Sequence, residues 1–165
     1  MSTTEDISPA PADAPDIPNV LAPPPLIYLI PLVLTLGIDV LLPFPVLPGR
    51  WPHLIGPVLL TVGVVLLLPA IRAFKAKRTN ARPWKPSTAL VTHGPYRFTR
   101  NPMYLGFTLL YLGIALWVNT AWPLPALLVV LQVMQHYVIL REERYLERTF
   151  GEPYREYMRA VRRWT

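Results

Sequence analysis

Four apolar runs constrain this chain more than any other feature: Leu26 to Leu42, Leu54 to Ile71, Pro102 to Val118 and Trp122 to Leu140. As helix, each comes close to the roughly 17–25 residues needed to cross the hydrocarbon of a bilayer. Inside lipid a backbone must satisfy its own hydrogen bonds, which leaves helices and closed barrels. Predominantly apolar runs of this length, with no strict apolar/polar alternation, fit helices. The expectation is an all-α integral membrane bundle of about four transmembrane helices.

The charge pattern orients that bundle. All but Arg50 of the 16 Lys and Arg residues fall in two clusters, Arg72 to Arg100 and Arg141 to Arg163. A net charge of +6 in a soluble protein would suggest nucleic acid. Here the clusters flank apolar runs, the pattern of the positive, cytoplasmic side of a membrane protein, and no nucleic-acid partner is expected. A tight reversal at Asn119-Thr120 puts both clusters and both termini on that side. The chain has no cysteine, which excludes disulfides, thiolate metal sites and a cysteine nucleophile, and no metal is expected.

Residues 1–25 are rich in Pro and Ala and poor in large apolar side chains, a composition expected to be disordered. The segment is acidic (Glu5, Asp6, Asp13, Asp16) and so unlike a signal peptide. Residues 26–165 are expected to form one domain. Pro43, Pro45, Pro48 and Gly49 make a rigid turn after the first run, and Asp39 marks that run's outer end. The loop before Asn101 is broken by Pro83, Pro86 and Pro95. Phe150-Gly151 reads as a helix stop with Gly151 left-handed. Beyond it Tyr154, Tyr157, Met158 and Val161 recur at helical steps, predicting a C-terminal cytoplasmic amphipathic helix that lies on the membrane or folds back over a site.

Chemistry concentrates in His93-Gly94-Pro95-Tyr96-Arg97-Phe98-Thr99-Arg100-Asn101-Pro102-Met103-Tyr104, directly before the third run. Polar residues this dense at the mouth of a membrane helix are costly unless something polar binds there. Arg97 and Arg100 offer forked donors for a carboxylate or phosphate. Asn101 reads as an N-cap and Pro102 as the first helical residue, whose free N–H groups and positive dipole end also suit an anion. On the fourth run Gln132, Gln135, His136, Ile139, Glu142 and Glu143 form a polar stripe, expected to face the bundle interior. Acids near a helix C-terminus oppose its dipole, so Glu142 and Glu143 call for a cationic ligand or an arginine partner. Positive donors at one edge and acids at the other suit a zwitterion with a cationic centre.

The segments Gly94 to Tyr104 and Glu142 to Tyr157 resemble those of the isoprenylcysteine carboxyl methyltransferase and phospholipid N-methyltransferase family. The resemblance runs from about Leu90 to the end. It implies an integral membrane enzyme that uses S-adenosylmethionine to methylate a lipid or prenylated small-molecule acceptor, with membrane lipid as its surroundings. It implies cofactor contacts from His93, Gly94, Tyr96, Asn101, Pro102, Tyr104, Glu142 and Glu143, and aligns Arg163 with the family's C-terminal arginine. Catalytic roles fall to Arg97, Arg100 and Arg163, which would position an ionised carboxylate. A protonated amine acceptor needs a base, for which His93, His136 and Glu142 are candidates. Asn101 departs from the histidine that many members carry before the proline. Two rival readings are an NADPH-dependent membrane reductase of the sterol-reductase type, which shares a Tyr-Arg…Arg-x-Pro-x-Tyr pattern, and a non-catalytic membrane scaffold.

Overall fold

The structure is a computed structural model that describes residues 20, 22–77, 79 and 87–164. The expected disordered tail and the prolines Pro83 and Pro86 lie almost wholly outside these residues. Everything regular among the described residues is helical: α1 (Pro24–Leu41), α2 (Trp51–Ala76), a 3₁₀ turn (Gly94–Arg97), α3 (Pro102–Val118), α4 (Pro123–Val133), a π-helical stretch (Met134–Ile139), α5 (Leu140–Phe150) and α6 (Glu152–Ala160). The third run ends where expected, and the second continues from Trp51 to Ala76. The fourth continues as one rod from Pro123 to Phe150. α1, α2 and that rod are long and apolar enough to span a membrane, and α3 is a shorter apolar helix. Their outward side chains are large and apolar, with Leu34 64%, Val58 59% and Val65 64% exposed. Contiguous faces of this kind are stable against lipid, not water. The chain is an integral membrane helical bundle.

Two hydroxyls within the spans are satisfied by their own helices. Thr35 and Thr61 donate their hydroxyls back to the carbonyls of Pro31 and Pro57 at 2.7 and 2.8 Å, so neither exposes a bare polar group to lipid.

α2 and α3 form the closest pair. Glycines stand seven residues apart on each, Gly56 and Gly63 against Gly106 and Gly113. A Cβ built on Gly63 would lie 3.1 Å from the carbonyl oxygen of Gly106, and one on Gly106 would lie 3.2 Å from that of Gly63. Gly56 faces Trp117 and Gly113 faces Leu60, so α2 and α3 run antiparallel in continuous contact, as small residues permit. α1 and α4 pack on the other side of α3, through Tyr28, Leu32, Tyr111, Leu127, Val130 and Met134. Tyr28 Oη lies 3.0 Å from Thr108 Oγ1.

Asn119 closes the end of the bundle remote from the basic clusters. It adopts φ 61°, and its Oδ1 accepts the N–H groups of Val46 and Leu47, both at 3.0 Å. The two predicted turns are thereby stapled to each other.

The Gly56 contact sets a stability prediction. A Cβ there would meet the Trp117 backbone nitrogen at 2.7 Å, whereas one at Gly37 would meet nothing within 4 Å. Gly56→Ala should destabilise the protein by about 1–3 kcal/mol through overpacking, and Gly37→Ala should be neutral or slightly stabilising. Thermal unfolding of the two variants in one detergent checks this.

Candidate functional site

At the basic end, positive φ at Gly94 (63°) turns the chain into the 3₁₀ segment Gly94–Arg97. A tight 3₁₀ turn sends neighbours to different sides. Tyr96 is buried, while Arg97 and Phe98 are exposed, with the Arg97 guanidinium 5.4 Å from the Phe98 ring centre. Thr99 and Asn101 then turn inward and are buried. Asn101 precedes α3 but makes no capping bond with its side chain. Its Nδ2 donates instead to the Arg163 carbonyl at 3.0 Å. Thr99 takes the local role: its Oγ1 accepts the Asn101 N–H at 3.2 Å and donates to the same carbonyl at 3.1 Å.

The C-terminal residues strap this loop to α5. Arg100 N–H donates to the Arg162 carbonyl at 3.0 Å. Arg163 grips Glu143 with two bonds, Nε to Oε1 at 2.9 Å and Nη2 to Oε2 at 2.7 Å. Arg100 Nη1 lies 3.1 Å from Glu143 Oε1, close enough for charge attraction but too poorly aligned to count as a hydrogen bond. Arg100 therefore keeps Nε and Nη1 buried with no hydrogen-bond partner among the described residues. Trp164 donates Nε1 to Gln135 Oε1 at 3.3 Å, anchoring the strap's end. The acids' partners explain them better than the helix dipole does, because the helix continues past them to Phe150.

Glu142, one residue before the doubly paired Glu143, has a different environment. Its Oε1 accepts the Tyr104 hydroxyl at 2.6 Å, and no salt bridge to it occurs among the described residues. It sits on α5, beyond the apolar part of the rod. Burial pushes its carboxyl up to about 7; the Tyr104 bond opposes that rise and the neighbouring Glu143 charge adds to it.

Glu142, Glu143, Tyr96, Arg100, Asn101 and Tyr104 line one cleft, with Phe74, Val91, Met103 and Ile139 as apolar wall. α6 folds back over it, one of the two placements its pattern allowed. Tyr154 lines the cleft, and Tyr157 also lines it and donates its hydroxyl to the Tyr96 carbonyl at 2.7 Å. Tyr96 Oη is buried with no partner among the described residues. Burial raises Tyr96 well above its ordinary value, Tyr154 to about 12 and Tyr157 higher still, so all three are neutral hydroxyl donors.

Of the residues singled out from sequence, the cleft gathers Tyr96, Arg100, Asn101, Tyr104, Glu142 and Glu143. Arg163 stands behind Glu143. Pro102 is buried at the start of α3. His93, Gly94 and Arg97 are exposed and do not line the cleft. Tyr154 and Tyr157 were missed as site residues, although their three-residue spacing marked the apolar face that now covers the site. The polar stripe does not hold together: Gln135 and the acids turn inward, while Gln132 and His136 are exposed. For the two acids, which follow it, the π stretch Met134–Ile139 accounts for the split. A turn closing i→i+5 uses one more residue than an α turn, rotating all that follows by about 100°.

A model of the phospholipid methyltransferase family matches residues 51–153. The chain belongs to that family. The match covers well over half of the chain and both halves of the cleft, from the start of α2 to the start of α6. A protein of Haemophilus influenzae, described only as uncharacterized, is 39% identical over 62 residues, which cover 38% of this chain and 98% of that protein. No solved structure matches the chain. As a phospholipid methyltransferase family member with three membrane-spanning apolar rods and a shorter apolar helix, the chain is an integral membrane methyltransferase.

The Glu143 cluster yields a prediction. Arg163→Ala removes two charge-assisted bonds at a part-buried site and should cost about 1–3 kcal/mol. In a Glu143→Gln background the same change should cost clearly less, and Arg97→Ala should stay within about 0.5 kcal/mol. A double-mutant cycle by thermal unfolding measures all three.

Proposed function

We propose that the cleft binds S-adenosylmethionine and that the chain transfers its methyl group to a lipid or lipidated acceptor, a phospholipid amine or an isoprenylcysteine-like carboxylate. The single observation that carries this reading is the unequal pair of acids. Glu143 is over-neutralised by two arginines, and Glu142 lies part-buried beside it with a hydroxyl as its partner. A ligand carrying both a positive centre and a carboxylate answers both: its cation offsets Glu142, and its carboxylate meets the spare donors of Arg100 and the unpaired Tyr96 hydroxyl. The orphaned buried donors are the sign that this donor set fits such a zwitterion.

When bound, S-adenosylmethionine supplies a methyl group on a positively charged sulfur, open to direct displacement. The chain's own part is placement and exclusion of water. Glu142 opposes the ligand's positive charge. Phe74, Val91, Met103 and Ile139 form a wall that keeps water from the reacting centre. Tyr154 and Tyr157 close the site from α6. An ionised carboxylate acceptor needs no base. A protonated amine does, and Glu142, whose carboxyl lies near neutrality, can take that proton, whereas His93 and His136 face outward.

The basic clusters around the cleft, together with the positive-inside rule, support a site on the cytoplasmic side, with both termini there. Residues 26–165 then make up a single membrane domain, with Val20 also packed on its core and α1 starting already at Pro24. An acceptor held in the same leaflet reaches the cleft sideways without leaving the bilayer.

Calorimetry on the full chain in detergent should show S-adenosylmethionine binding, and absence of heat at high ligand concentration would refute the reading. Glu142→Gln should weaken binding about 10- to 100-fold, the range for losing a bond to a charged group. Binding needs Glu142 ionised. Affinity should therefore fall by up to about tenfold per unit as pH drops below about 7, and level off above it. The Glu142→Gln variant should lose that slope. Methyl-labelled cofactor incubated with a membrane lipid extract, followed by mass analysis, should place the label on a lipid amine or a prenylated carboxylate.

A further inference from the structure

Gln132 lies on α4, nine residues after Pro123, hence about 14 Å along a rod that crosses a hydrocarbon core of about 30 Å. It is exposed, and no hydrogen bond involves it among the described residues. A primary amide facing lipid near the bilayer midplane carries donors and acceptors that nothing satisfies. Thr61 is also exposed within a span, but it bonds the carbonyl of Pro57 in its own helix. Gln132 has no such recourse. One turn on, His136 is exposed too. Together with Pro125, Leu128 and Val129, which are exposed on the preceding turns, they form a single stripe at three- and four-residue steps.

We propose that this outward stripe is the contact surface between two copies of the chain. Two copies inserted the same way are related by a twofold axis along the membrane normal. At such an axis each residue meets its own counterpart at the same depth. A side chain there must be complementary to itself. An amide is, because one copy's NH₂ donates to the other's carbonyl oxygen and the reverse. A neutral imidazole, with one donor and one acceptor nitrogen, is as well. Lysine or glutamate in that position would repel its counterpart. Leu128 and Val129, 67% and 63% exposed, supply the apolar flank that packs around the polar pair. The outward faces of α1 and α2 lack an unsatisfied polar group at this depth, so lipid is a sufficient neighbour for them. The inference is independent of what the cleft binds.

The chain's lack of cysteine gives a clean test in the full-length protein in lipid nanodiscs. Single Leu128→Cys and Val129→Cys variants, mildly oxidised, should form covalent dimers, while Val65→Cys, equally exposed on α2 at 64%, should not. Adding Gln132→Leu to Leu128→Cys should reduce the cross-linked fraction about fivefold, in line with the loss of an interhelical polar contact. Equal cross-linking at Leu128 and Val65, or cross-linking indifferent to Gln132→Leu, overturns the proposal. So does a nanodisc mass of one copy, including the case in which Gln132→Leu lowers methyl transfer by a single copy and thereby marks the stripe as an acceptor entry.

Discussion

The carboxylate of Glu143 is the junction on which the cleft depends. It joins three segments far apart in sequence: the loop before α3 through Arg100, the start of α5, and the C-terminal strap through Arg163. None is held there by apolar packing alone. The strap beyond Ala160 is short, and its carbonyls would be loose without the donors of Thr99, Arg100 and Asn101. Those donors are in turn fixed because α3 starts immediately after them at Pro102. The ion pair and the backbone bonds support one another, which is why the strap can carry Tyr154 and Tyr157 on α6 down onto the cleft.

Two adjacent acids end up in opposite electrostatic situations, and the asymmetry is geometric. Neighbours on a helix point about 100° apart. One therefore faces the strap and its arginines, and the other faces the bundle and Tyr104. A single hydroxyl bond does not offset the desolvation of Glu142, and its carboxyl rises to about 7. The site is thus built with one acid already compensated and one whose compensation awaits a cation.

The spans were legible because run length and composition report directly on the bilayer, and Pro102, Phe150-Gly151 and Asn119-Thr120 punctuate them. Most of the cleft was legible as well, since a polar cluster at a span's mouth has few neutral explanations. What the sequence concealed depends on contacts between distant segments. Nothing local told that Asn101 would bond Arg163 rather than cap its own helix, or that His93 and Arg97 would be turned outward by a 3₁₀ step. Gly151 shows the same limit at smaller scale. It stops the helix with a positive φ, but at ψ −129°, outside the left-handed helical region, because the chain must reverse sharply enough for α6 to come back over α5.

The π stretch from Met134 to Ile139 ties the remaining features together. With an uninterrupted α-helix, Gln132, His136 and Glu143 would share a face, since steps of four and eleven residues nearly complete whole turns. A rod of that kind would have to choose between turning its acids inward and turning its amide outward. One extra residue per turn removes the conflict: the amide and imidazole stay on the lipid-facing side while both acids swing into the bundle. The defect costs regular hydrogen-bond geometry over one or two turns, yet it lets one helix carry an outward polar stripe and half of an inward site. Any substitution that restored plain α geometry there would have to move one of the two, and the Gln135–Trp164 bond, which seats the strap on this same stretch, places that change directly against the cleft.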